Sequence, residues 1–135
     1  MSDPYHVLIW IDHHEAKIYH FGALESEPSR LRSSDPHLHL HHKANTVGSG
    51  HAAVDGTFLE RIAQAIAHNS AILITGPGTA KNELAGHLER NHPDIAKRVS
   101  GVESLDHPTD GELLAIGRRF FRADDRMHWQ ARGRE

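Results

Sequence analysis

The chain has 135 residues, a formal net charge of −3 and no cysteine. That length suits one domain with its own core, and the lack of cysteine excludes disulfides and thiolate metal sites. The acidic balance argues against general coating of nucleic acid, which relies on neutralising phosphates. The longest apolar run, Val7 to Ile11, is too short to cross a bilayer, and MSDPYH lacks the basic-then-apolar order of a secretory signal. The expectation is a soluble cytoplasmic protein with no membrane contact.

YHVLIWID (5–12) has the β-branched and aromatic content of a strand buried on both faces for part of its length. HHEA then offers a tight reversal into KIYHFG (17–22), where Ile18, His20 and Gly22 share one face and Tyr19 and Phe21 the other, the second strand of a hairpin. SRLRS (29–33) and HLHLHH (37–42) read as two short strands, or as one broken at Pro36. Residues 43–56 form a loop with Gly48, Gly50 and Gly56 and no hydrophobic period, expected to be mobile for want of apolar anchors.

From residue 57 the period becomes helical. TFLERIAQAIAH (57–68) aligns Phe58, Leu59, Ile62 and Ile66, with Thr57 and Glu60 as a capping box. AILIT (71–75) is a short apolar run of the kind found in central strands. A helix follows from Thr79 to about Arg90, with Leu84 and Leu88 inward, and Pro93 starts another short turn. RVSGVESL (98–105) is a further strand. Thr109 and Glu112 repeat the capping box before a last helix that buries Leu113, Leu114, Ile116, Phe120 and Phe121. The order predicts an α/β fold over residues 1–123: a mixed sheet with a strand meander followed by α-β-α-β-α, the ribonuclease H-like arrangement. Ile62, Ile66, Leu84, Leu88 and Leu114 are the expected helical contribution to its core.

Charge is unevenly spread. Residues 118–135 hold six arginines against Asp124, Asp125 and Glu135. An Arg-rich tail over 124–135 is either a solvated terminus or, with Arg118, Arg119, Arg122 and Arg126, a contact for RNA phosphate. Histidine is also concentrated, with five of the chain's 14 between residues 37 and 52. On a strand His37, His39 and His41 share one face about 7 Å apart. That is a solvated face which charges as the pH falls below about 6.5, or a zinc or nickel site if the strand bends.

TGPGTAK (75–81) follows a strand and opens a helix, so Gly76, Gly78, Thr79 and Lys81 could hold an anion. The full Walker-A pattern is missing, and a tight turn that uses glycine for its backbone angles explains the same residues. A nuclease of this fold needs several carboxylates around two divalent ions. Asp12 and Glu60 could supply two, but Thr75 and Gly76 stand where a third would end its strand, and Asp106 and Asp110 lie on the far connection. The carboxylate set is incomplete.

From VLIWID through ILITGPGTAKNEL (72–84) to TDGELLAI (109–116), the chain resembles the middle domain of archaeo-eukaryotic peptide release factors and their Pelota and small bacterial relatives. The resemblance implies that the loop before the first helix stands where that family carries Gly-Gly-Gln, which enters the peptidyl transferase centre. Here the loop reads VGSGHA (47–52), with Ser49, Gly50 and His51 nearest to the motif and Lys43 the permanent positive charge beside it. Two of the three motif residues differ. The resemblance therefore implies a non-catalytic, translation-associated protein. It would meet the ribosome, tRNA or a translation factor through the 43–56 loop and the arginines, without a cofactor. The alternatives are a metal-dependent hydrolase or nuclease using Asp12 and histidines, and a histidine-rich metal-binding module.

Overall fold

Val7 to Ile11 are all buried because both faces of their strand are covered, which is why they read as a continuous apolar run. The computed structural model describes residues 6–21, 28–33 and 54–133, with side chains through Arg122. Five strands, β1 (His6–Ile11), β2 (Glu15–Phe21), β3 (Ser29–Arg32), β4 (Ala71–Gly76) and β5 (Val99–Ser104), form one open sheet in the order β3-β2-β1-β4-β5. The β1–β2 and β2–β3 pairs are antiparallel, while β4 is parallel to both β1 and β5. This is the mixed α/β sheet the sequence order predicts.

Helices α1 (Gly56–Ala65), α2 (Ala80–Asn91) and α3 (Pro93–Ala96) cover one face, where Phe58, Ile62, Ile66, Leu84 and Leu88 pack on Val7, Ile9, Ile11 and Ile18. Helix α4 (Asp110–Gly133) covers the other, setting Leu113 and Phe121 on Leu8, Trp10, Tyr19 and Phe21. The two-residue alternation in β2 divides its side chains between these cores, and both β1 and β4 feed both. Of the five helical residues expected inside, four are fully buried. Leu114 is only half-buried, because the register of α4 turns its neighbour Leu113 onto the sheet instead.

Two capping expectations diverge. At α4 the box forms, with the Glu112 amide donating to the Thr109 hydroxyl and the Thr109 amide donating to the Glu112 carboxylate. At α1 it does not. Asp55 is the cap, accepting from the Thr57 amide at 3.1 Å, and the Glu60 carboxylate points elsewhere. The far end of α1 is held by Arg98, whose guanidinium donates to the carbonyls of Ala67 and Asn69. Helix α4 runs on to Gly133, across the boundary at 124 where the sequence suggests a separate tail. The HLHLHH segment lies outside the described residues.

Tyr19 connects the sheet to α4. Its ring is fully buried and its hydroxyl donates to Asp110 Oδ1 at 2.6 Å, with Lys17 and Arg30 at 3.7 and 3.6 Å from the same carboxylate. Burial, then Asp110, pushes the phenol up; the Tyr19 hydroxyl, with Lys17 and Arg30 behind it, holds Asp110 below its ordinary value. A carboxylate with a depressed folded pKa contributes stability that is present above about pH 4 and lost as the pH falls through the folded value. Tyr19→Phe should cost about 1–2 kcal/mol at neutral pH and make the acid limb of stability shallower. Denaturant titrations of both proteins from pH 7 to pH 3 check this, and parallel curves would contradict it.

Candidate functional site

The parallel strands β1, β4 and β5 end along one edge of the domain, and β3 ends beside them. The turn after β1, the connection leaving β3, the TGPG turn after β4 and the segment before α4 therefore gather at that edge. In open α/β sheets this is the side on which ligands bind.

Each piece is fastened by polar contacts. Asp12 Oδ1 accepts from the amides of His14 and Glu15, both at 2.8 Å, so this carboxylate shapes the hairpin turn. The connection leaving β3 is pinned where it departs, by the Ser33 amide on the His14 carbonyl at 2.8 Å. It is pinned again where it returns, by the Val54 amide on Glu83 Oε1 at 2.8 Å. Glu83 Oε2 also lies 3.7 Å from His13 Nε2 and 3.3 Å from the Thr79 hydroxyl, so one side chain of α2 braces the loop end, the hairpin turn and the TGPG turn. Nothing in the sequence marks Glu83, since its partners at 13, 54 and 79 follow no period. Lys43, Ser49, Gly50 and His51, like His37, His39 and His41, lie outside the described residues.

In the TGPG turn, Gly76 and Gly78 both have positive φ, at 149° and 61°. Lys81 is buried and its ammonium donates to the Gly78 carbonyl, so it turns back onto its own loop. Thr79 precedes α2, and the carboxylate nearest its hydroxyl is that of Glu83. Thr75 is fully buried and donates to the Ile9 carbonyl at 2.8 Å, a bond that an ionised carboxylate in its place could not donate. This is the position where a nuclease of this fold would need its third acid.

Arg118, Arg119 and Arg122 are exposed on α4, and Arg126 lies one four-residue step beyond Arg122 in the same helix. Arg119 also borders an open groove of about 570 Å³ with Leu105, Asp106, His107, Pro108 and Ile116. The groove wall is held by Trp10, whose indole donates to the Asp106 carbonyl at 3.0 Å while its ring meets His107 at 5.2 Å. On the opposite face, Glu60 of α1 meets His87 of α2 and His92 between α2 and α3. These three form a group of close metal-ligand donors that does not include Asp12. Hydrogen bonds from His92, His87 and Gln64 hold the Glu60 carboxyl down at about 2. The sequence marks Glu60 as a cap and as a possible carboxylate beside Asp12, and its spacing singles out neither His87 nor His92.

The fold has solved counterparts. Pelota of Archaeoglobus fulgidus superposes with a TM-score of 0.65 at 17% identity, over 96% of this chain and 37% of that one. The chain folds as a Pelota/release-factor-like domain. Pelota of Thermoplasma acidophilum (TM-score 0.52, 16% identity) and the archaeal translation termination factor aRF1 (0.51, 17%) match over 79% of this chain. This release-factor-like domain covers only 30% and 31% of those two chains, so it corresponds to about a third of each matched protein. No protein-family profile matches the sequence, and no curated protein is significantly similar to it.

Proposed function

We propose that this domain acts in translation, in the cytoplasm, as a non-catalytic binding module. It would dock on the ribosome, tRNA or a translation factor through the 43–56 loop and the arginine face of α4. The observation that carries the reading is the fold match to Pelota along 96% of the chain and to aRF1 along 79% of it. The loop pinned at Ser33 and Val54 supports it, because it departs from the edge of the sheet on which such folds bind ligands. With Ser-Gly-His in place of Gly-Gly-Gln, the loop binds without cleaving peptidyl-tRNA.

Co-sedimentation with ribosomes across a salt series tests the proposal. Each phosphate contact contributes about one unit to the salt slope. Changing Arg118, Arg119 and Arg122 together to glutamine should weaken association and flatten the slope by up to about three units. His51→Ala should alter the bound state if the loop inserts. A triple variant that co-sediments normally at every salt concentration would overturn the arginine part, and peptide released from stalled ribosomes by the wild-type chain would overturn the non-catalytic part.

A further inference from the structure

We infer that Glu60, His87 and His92 form a binding site for one divalent cation of the zinc class, tying α1 to the corner between α2 and α3. The three donors come from separate elements yet converge on one point. His87 Nε2 lies 2.9 Å and His92 Nε2 2.8 Å from the same oxygen, Glu60 Oε1, and His92 Nε2 is 3.0 Å from Oε2. The ligand atoms of the three residues all lie within 4.8 Å of one another. Zinc takes imidazole nitrogen and carboxylate oxygen at about 2.0–2.2 Å, which places neighbouring tetrahedral ligands about 3.3 Å apart. To admit the ion, the two imidazole–Glu60 Oε1 separations open by about half an ångström and the imidazole nitrogens, within 4.8 Å of each other, settle at the same spacing.

The site is also oriented from outside. Gln64 donates to Glu60 Oε2 at 2.7 Å, steadying the carboxylate while Oε1 faces the rings. The Asn91 side chain stands 3.2 Å from His87 Nδ1. The same Asn91 nitrogen donates to the His87 carbonyl at 3.2 Å, so it braces that residue's backbone as well as its ring. His92 ends α2 with its amide on the Leu88 carbonyl, and Pro93 fixes the chain beyond it. His87 is only 12% and His92 24% exposed, so neither ring is a freely rotating surface group. Two imidazoles with one carboxylate suit zinc, nickel or copper, whereas magnesium and calcium prefer an all-oxygen set. Three protein ligands leave a further position open to water.

The test must separate this site from the histidines at 37, 39, 41 and 42. The untagged 135-residue chain with those four changed to alanine is titrated with zinc against a chromophoric chelator, and with cobalt for its visible ligand-field bands. We expect one zinc per chain, tetrahedral-type cobalt absorption, and a rise in Tm with added zinc. Adding His87→Ala or His92→Ala should weaken zinc binding by more than about 100-fold, beyond the 10–100-fold cost of losing an outer-shell partner. Glu60→Gln, which keeps the shape and a hydrogen-bonding group, guards against a variant that fails to fold and should lose the cobalt spectrum as well. Zinc should also shift the imidazole nitrogen resonances of His87 and His92 in the otherwise unaltered chain. No zinc bound by the four-alanine protein at micromolar metal, or binding unaffected by Glu60→Gln with both resonances unmoved, would overturn the assignment.

Discussion

Gly76→Ala should destabilise the protein by about 3 kcal/mol or more, a large share of the stability of an ordinary domain. Gly76 closes β4 with φ at 149°, and a Cβ there would lie 2.1 Å from the carbonyl oxygen of Ile11. The obstructing atom is backbone, and Ile11 is fully buried at the end of the neighbouring strand. Relief requires β1 and β4 to separate just where the turns of the candidate binding edge begin. Gly78 is the control, since its φ of 61° disfavours alanine but a Cβ would meet nothing within 4 Å. Gly78→Ala should cost only about 1–2 kcal/mol. Urea unfolding of the two variants decides the matter, and equal losses would show that close approach to Ile11 is not the constraint.

Phe58→Ala should cost about 3–5 kcal/mol, the range for removing a fully buried aromatic ring. Its wider effect would fall on α1. That helix has 10 residues, too few to persist without packing, and Phe58 is the largest of the side chains that fix it to the sheet. Loosening α1 displaces Glu60 from His87 and His92, so amide exchange should accelerate through 56–65 more than through β4. Uniform acceleration, or a loss below about 1 kcal/mol, would mean that the site closes over the gap more completely than its packing suggests.

How much of this was legible in the sequence depends on the range of the physics involved. Strand and helix identities were legible because burial imposes a local period. Val7–Ile11 and Ala71–Ile74 are continuous apolar runs since both faces of those strands are covered, and Ile62, Ile66, Leu84 and Leu88 recur at helical spacing. Their order was sufficient for the mixed sheet and for the likeness to the release-factor middle domain. Local capping was only half legible. The pattern of Thr and Glu three residues apart occurs before both α1 and α4, but it closes only at α4, because at α1 Asp55 takes the cap and the Glu60 carboxylate is drawn away by two histidines.

What the sequence by itself determined, then, is the succession of elements and most of the core. Tertiary structure alone decided which distant polar groups meet. Asp12 became the cap of a turn, Thr75 the donor to a carbonyl inside the sheet, and Glu83 the brace for Val54. Glu60, His87 and His92 stand 27 and 32 residues apart, and no periodicity links them. They converge because α1 and α2 lie side by side on the same sheet face and the chain turns at His92–Pro93, and such a meeting is set by the packing of whole elements, which local residue patterns do not encode.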